Sequence, residues 1–163
     1  MFSGCIVHAF DPTDVVIRPK DSYIENLHFH HIGIWHQNGK DSNKPWLVKT
    51  LQTILMENGD IGKNITYLKM DVEGSELFCF KDWFDTHVFK AVQQFGIEFH
   101  VQSGVVQHQI KKWYRRLNGY LKKLYSDYNF QIIASEPNTC LGKVEDLQKI
   151  HYSYNDVLLV KKS

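Results

Sequence analysis

Short apolar runs alternate with longer amphipathic stretches along the chain. The apolar runs of strand length lie at 5–10, 24–30, 65–70, 95–101, 130–134 and 157–160. Apolar residues at three- and four-residue spacing predict helices at 46–55, 75–84, 88–94 and 106–124. Because each parallel connection needs a crossover, this order predicts one α/β domain over 1–163 with a mostly parallel sheet. No helix separates the last two strands, which predicts an antiparallel C-terminal hairpin.

The run at 65–70 ends in a dense group of acids. Asp71, Glu73 and Glu76 follow it, with Gly74 and Ser75 between them. Gly74 suits a turn with a positive φ angle, and Ser75 suits the N-cap of the next helix. Ligands of open α/β sheets bind beyond the carboxyl ends of the strands, so this segment is predicted to be an active-site strand end. The alternative is an ordinary strand-to-helix turn with solvated acids.

Two polar residues share one face of the strand at 95–101. Glu98 and His100 alternate there with apolar residues, and in a neighbouring strand they would meet Asp71 and Glu73. Such a group can act as a general base, hold an acceptor hydroxyl, or bind a divalent ion that acidifies it. Simple structural hydrogen bonding by Glu98 and His100 is an equal alternative. Oxygen-rich spacing without a closing motif is weak evidence for a metal, so no metal ligands are predicted.

Asp11 ends the first strand and precedes Pro12. An acid at the end of an early strand in a doubly wound sheet can accept two hydrogen bonds from the vicinal hydroxyls of a ribose. Asp11 is therefore a candidate cofactor ligand. An Asp-Pro turn without a ligand is the alternative.

Composition limits the possible partners. Hydrophobic residues make up 43% and charged residues 23%, with a net charge of +1, so the chain has no strong global attraction to nucleic acid or anionic membrane. A small-molecule partner is expected. No apolar stretch is long enough for a membrane span. Cys5, Cys79 and Cys140 are odd in number and far apart in the sequence, which favours reduced thiols over a disulfide framework. Compartment and oligomeric state are left open.

Two further clusters are given structural interpretations. His28 and His30 would share a strand face as a metal pair does, but no third ligand is placed near them, so solvated or hydrogen-bonded histidines are favoured. The basic segment 111–116 contains aromatics and resembles a nucleic-acid patch. Its Trp113 lies on the apolar stripe of the predicted helix, so a solvated cationic face is favoured and no nucleic-acid partner is predicted.

The segments 10–13, 68–76 and 97–100 together resemble the FkbM-type and methyltransferase-like (Methyltransf_21) families of S-adenosylmethionine-dependent methyltransferases. The resemblance covers nearly the whole chain in element order, including the antiparallel terminal hairpin. It implies a Rossmann-like class I three-layer sandwich that binds S-adenosylmethionine at the strand ends. By this resemblance Asp11 would hold the ribose hydroxyls, and Asp71 would sit beside the sulfonium and the acceptor.

The same resemblance implies a first strand and a glycine-rich turn before the strand that ends in Asp11. Gly4 alone cannot replace a Gly-x-Gly loop, so an N-terminally truncated family member is expected. The first functional hypothesis is methyl transfer to oxygen on an unidentified small-molecule or glycan-like acceptor, with Asp71, Glu73, Glu98 and His100 as catalytic candidates. The second is a non-catalytic domain with a binding role or no independent function.

Overall fold

The computed structural model describes residues 4–13, 26–40, 44–100, 107–137, 143–146, 149–152 and 154–162. Its strands are β1 (Val7–Phe10), β2 (Leu27–His30), β3 (Gly33–Ile34), β4 (Gly39–Lys40), β5 (Leu47–Lys49), β6 (Ile65–Met70), β7 (Val92–His100), β8 (Phe130–Pro137), β9 (Lys143–Asp146), β10 (Lys149–Tyr152) and β11 (Tyr154–Lys161). Its helices are α1 (Leu51–Glu57), α2 (Glu76–Asp85) and α3 (Gln107–Tyr128), with a 3-10 turn at Val88–Lys90. The predicted strand start at 24, strand end at 101, helix start at 106 and Cys140 lie outside the described residues.

The largest described sheet has four strands in the order β6-β7-β11-β8. β6 and β7 are parallel, whereas β11 runs antiparallel to both β7 and β8. The predicted antiparallel hairpin of the last two long strands is confirmed. Because β11 inserts between β7 and β8 and runs antiparallel to both, β6, β7 and β8 all run in one direction, so this sheet is mostly parallel, as predicted, with β11 as its antiparallel strand.

The other described strands form smaller sheets. β1 and β2 pair in parallel, β5 lies between β3 and β4, and β9 and β10 form an antiparallel pair. The described residues therefore make a mixed α/β fold in several sheets.

The hydrophobic core lies between β7 and the helices α2 and α3. Phe95, Ile97 and Phe99 of β7 are buried, as the alternating pattern predicts. They pack against an aromatic cluster that is fully or almost fully buried and consists of Phe80, Trp83, Phe84 and Phe89. The predicted apolar stripe of α3 covers this cluster through Trp113, Leu117, Leu121 and Leu124. No helix in the described part of the chain is long and apolar enough to cross a membrane.

Two predicted helix boundaries are wrong for local reasons. The helix predicted at 46–55 begins only at Leu51, because the backbone of Thr50 is extended (φ −70°, ψ 153°) and its hydroxyl accepts a hydrogen bond from Thr53 N at 3.2 Å. The residues before this N-cap pair as β5 instead. The segment predicted as helical at 88–94 is a single 3-10 turn, and at Val92 the chain already pairs with β6.

Candidate functional site

The parallel pairing of β6 and β7 brings two strand ends together. Met70, the last residue of β6, is paired with Ile97, so β7 extends three residues further at the same edge. Glu98 and His100 therefore lie beside Asp71 and Glu73, as the sequence predicts.

The segment after β6 turns sharply. Ser75 N donates to Val72 O at 3.2 Å, and the two residues between them have positive φ, 53° at Glu73 and 99° at Gly74, which is the pattern of a type I′ turn. Gly74 adopts this conformation freely, as predicted. In Glu73, a residue with a Cβ atom, it costs about 1–2 kcal/mol. The turn returns the Glu73 carboxylate to the end of β7.

Ser75 is the N-cap residue of α2, as predicted, but its side chain makes no capping hydrogen bond and its backbone is helical (φ −92°, ψ −1°) rather than extended. The side chain of Glu76 accepts a hydrogen bond from Gly74 N at 3.1 Å instead. The first turn of α2 is thus tied to the preceding loop by a carboxylate.

A buried carboxylate–imidazole pair lies at the centre of the site. Nδ1 of His100 is 2.6 Å from Oε1 of Glu76, and the two side chains are 4% and 0% exposed. Within the described residues, Oε2 of Glu76 is buried without a hydrogen-bond partner. Glu76 was recognised in the sequence as one of three acids but not as a site residue. The pattern could place it in the first turn of a helix, but could not show that it lies under His100.

The other ring nitrogen of His100 faces three carboxylates. Nε2 lies 3.6 Å from Oδ1 of Asp71, 3.7 Å from Oε2 of Glu73 and 3.7 Å from Oε1 of Glu98. The side-chain exposure falls from 81% in Glu73 through 42% in Asp71 to 13% in Glu98. The group formed by Asp71, Glu73, Glu76, Glu98 and His100, called the His100 cluster below, therefore opens to solvent on the Asp71 and Glu73 side.

Opposing effects act on the pKa of His100. Burial by itself lowers the pKa, but the hydrogen bond and charge of Glu76 and the charges of Glu73 and Asp71 outweigh it, so the pKa is raised above its ordinary value. Nε2 therefore holds its proton to a higher pH than an ordinary histidine does. Only the unprotonated ring can accept a proton from a substrate.

Asp11 lies at the end of β1, as predicted, but it is not among the residues described around His100. Its Oδ1 accepts hydrogen bonds from the backbone N and the hydroxyl of Thr13, at 2.7 and 2.6 Å. The described geometry is the Asp-Pro turn that the sequence left open as the alternative. The ribose role stays a prediction.

The histidines of β1 and β2 form a hydrogen-bonded group. Nδ1 of His8 is 2.9 Å from Nε2 of His30, and Nε2 of His8 is 3.4 Å from Oδ2 of Asp60. The rings of His8 and His28 stack with centroids 5.1 Å apart. Burial and the neighbouring His8 and His28 lower the pKa of His30. These contacts agree with the structural interpretation of the cluster.

The thiol of Cys79 also has a structural environment. Cys79 is fully buried and unpaired, and burial, Glu76 and Asp82 together raise the pKa of its thiol to about 12. The thiol is therefore protonated and unreactive at neutral pH. Cys5 is free as well and is exposed.

The sequence of this chain matches a known protein family. The model of the family described as a methyltransferase domain, Methyltransf_22, matches residues 2–147. No curated protein and no solved structure shows significant similarity to the chain. The family match covers all five residues of the His100 cluster, together with β6, α2 and β7. The chain belongs to the methyltransferase-domain family Methyltransf_22.

Proposed function

We propose that the protein transfers a methyl group from S-adenosylmethionine to an oxygen atom of a small-molecule or glycan-like acceptor bound at the His100 cluster. The observation that supports this most directly is the buried Glu76–His100 pair, which presents Nε2 to three carboxylates at the ends of two parallel strands. In this cluster acid–base groups converge at a strand edge of a chain that belongs to a methyltransferase-domain family.

The residues of the cluster fit both partners of the reaction. The sulfonium of S-adenosylmethionine is a cation, and the four carboxylates of the cluster give the region beside it negative charge. An acceptor hydroxyl would lie next to the less exposed Glu98 and His100. The cluster aligns the hydroxyl and takes its proton, while Glu76 fixes the orientation of the imidazole.

The bond changes are those of a single displacement. S-adenosylmethionine supplies the methyl group when bound. The acceptor oxygen forms a bond to the methyl carbon as the carbon–sulfur bond breaks, the electron pair stays on sulfur, and the hydroxyl proton passes to the cluster. Exclusion of water around the buried Glu76–His100 pair strengthens each electrostatic interaction there.

The proposal also includes the fold type and the subfamily of the protein. The sheet order β6-β7-β11-β8, with an antiparallel final strand, supports a Rossmann-like class I sandwich. The resemblance of segments 10–13, 68–76 and 97–100 supports the FkbM-type subtype and assigns the ribose hydroxyls to Asp11.

Calorimetric titration with S-adenosylmethionine tests cofactor binding. We expect the wild type to bind, and we expect Asp71→Asn and Asp11→Asn each to weaken binding by about tenfold, equivalent to about 1.4 kcal/mol. Asp85→Asn removes an exposed carboxylate on α2 and is the matched control, with unchanged affinity. Absence of binding at millimolar cofactor would refute the proposal for this chain and favour the non-catalytic alternative.

Turnover is tested separately with a panel of hydroxyl acceptors. The released S-adenosylhomocysteine is measured for the wild type and for His100→Gln. We expect the substitution to leave cofactor affinity within a factor of about 3 and to lower turnover at least about 100-fold, the range of one acid–base group. Equal turnover in the two proteins would remove His100 from the reaction.

A further inference from the structure

We propose that Asp71, Glu73 and Nε2 of His100 bind a divalent cation of the first transition series, with Glu76 as the residue that positions His100. Binding of the cation follows from the cluster itself. Its role, which is to hold the acceptor oxygen and lower the pKa of its hydroxyl, rests on the proposed function. The sequence did not favour a metal, and three features of the structure change this.

The ligand atoms already lie close together. One ligand atom from each of Asp71, Glu73 and His100 falls within 4.8 Å of the others, and Nε2 is 3.6 and 3.7 Å from the two carboxylate oxygens. Ligands at about 2.1 Å from a shared ion are separated by about 3.0–3.4 Å. Each carboxylate oxygen therefore needs to approach Nε2 by only a few tenths of an ångström, and both side chains are exposed enough to adjust around a shared ion.

The second feature is the buried support of His100. A histidine that binds a metal through one ring nitrogen characteristically donates from the other to a carboxylate, which fixes the tautomer and the ring orientation. Glu76 occupies this position at 2.6 Å from Nδ1 and is fully buried. Its Oε2 has no hydrogen-bond partner among the described residues, so the carboxylate is held under the ring rather than solvated. This buried pair distinguishes the cluster from an ordinary group of solvated surface acids.

The third feature is charge. Four carboxylates of the cluster face one imidazole ring. Lys69 lies 4.0 Å from Glu98 but is shared with Asp156, which is closer at 3.3 Å. A divalent cation between Asp71 and Glu73 would reduce the mutual repulsion of these carboxylates.

The ligand set indicates the type of ion. One imidazole nitrogen with two carboxylate oxygens suits Mn²⁺ or Zn²⁺ better than Ca²⁺, whose sites in proteins consist of oxygen atoms. With Nε2 engaged as a ligand, the proton of the acceptor hydroxyl passes to Glu98, the carboxylate beside Nε2 that is outside the proposed ligand set, and His100 acts on the reaction by holding the cation. The cation thereby gives the two residues of β7 different roles.

The test uses Mn²⁺ alone, with the full chain, after removal of bound metals with a chelator. Binding is followed by the loss of the free Mn²⁺ signal in electron paramagnetic resonance. We expect the wild type to bind Mn²⁺ with a Kd below about 1 mM, and the double variant Asp71→Asn/Glu73→Gln to bind Mn²⁺ at least about tenfold more weakly. Both substituted side chains are exposed, so the fold is expected to remain intact, as circular dichroism would show. Asp85→Asn is expected to bind Mn²⁺ like the wild type.

Glu76→Gln tests the positioning role. We expect Mn²⁺ affinity to fall by about 10- to 100-fold, the usual effect of losing such a supporting carboxylate. The proposal is overturned if the wild type fails to bind Mn²⁺ at millimolar concentration, or if the double variant binds with wild-type affinity.

Failure of the cation site and failure of the proposed function give different results. Binding of S-adenosylmethionine by the chelator-treated protein, without any binding of Mn²⁺, would refute only the cation site. Binding of Mn²⁺ without binding of S-adenosylmethionine would refute the proposed function and keep the cation site.

Discussion

The surroundings of His100 set the pKa of its side chain. Its ring is almost inaccessible to solvent, which by itself favours the neutral form, yet the surrounding carboxylates raise its pKa. A protein group with a raised pKa in the folded state keeps its proton at pH values where the unfolded chain has released it. His100 therefore contributes stability that is fully present below the unfolded pKa of about 6.5 and is lost as the pH rises through the folded pKa.

We expect His100→Gln to lower the unfolding free energy by more near pH 6, which is below the ordinary histidine pKa of about 6.5, than near pH 9, which is well above it. Urea denaturation in chelator-containing buffer measures it. His108→Gln, an exposed substitution on α3, is the control and should show little change. A difference that grows with pH would contradict the assignment of a raised pKa to His100.

At the scale of elements, Gly96 of β7 leaves room for the ring of Tyr67, which comes from the neighbouring strand β6. A Cβ atom placed on Gly96 would lie 2.9 Å from Cζ of Tyr67 and closer still to its hydroxyl. The ring of Tyr67 therefore extends from β6 over the backbone of β7 at a position where any other residue would push it away. This contact lies between the two strands whose ends lead into the His100 cluster.

We expect Gly96→Ala to lower the unfolding free energy by about 1 kcal/mol, because the half-exposed ring of Tyr67 must swing out to make room. In a Tyr67→Ala background the same change should cost less than about 0.5 kcal/mol, which a double-mutant cycle by urea denaturation would show. Gly119→Ala in α3 has open space around its Cβ and should stabilise by about 0.5–1 kcal/mol. Equal costs of Gly96→Ala in both backgrounds would exclude the contact.

Element boundaries also show where local patterns fail. The strand predicted at 65–70 has the observed bounds of β6, since a short apolar run is followed at once by acids and a glycine. The helix predicted at 46–55 begins five residues later. Trp46 and Leu47 fit a helical stripe by spacing, but β5 forms because β3 and β4 are available on both sides of it. Spacing along the chain contains no information about such partners.

At the scale of the whole molecule, one side chain joins the sheet to both long helices. Phe80 of α2 is fully buried and makes ring contacts with Phe95 and Phe99 of β7 and with Tyr120 of α3. Phe78, two residues earlier, is 47% exposed. The two phenylalanines therefore form a matched pair with different burial.

We expect Phe80→Ala to lower the unfolding free energy by about 3–5 kcal/mol, because it leaves a cavity at the junction of three elements. Phe78→Ala should cost about 1 kcal/mol or less. Urea denaturation of the two variants gives the comparison. Similar losses in both would mean that Phe80 is not a central packing residue.

The sequence by itself determined several main elements and the candidate residues that lie at their ends. Its periodicities gave β6, α2, β7, α3 and the final antiparallel strands, because apolar spacing follows the geometry of a strand or helix within a few residues. The acids after β6 and the alternation of Glu98 with His100 also indicated that these residues lie together at the ends of neighbouring strands. These properties depend on neighbours in the chain.

Only the tertiary structure decided how these parts act together. It showed Glu76 buried beneath His100, three carboxylates around Nε2, and the insertion of β11 between β7 and β8. It also showed the carboxylate of Asp11 accepting hydrogen bonds from Thr13. The physical reason is that burial, pairing partners and the convergence of charges are set by residues distant in the chain. Glu76 and His100 are 24 positions apart in the sequence, so a local pattern cannot show that they are in contact.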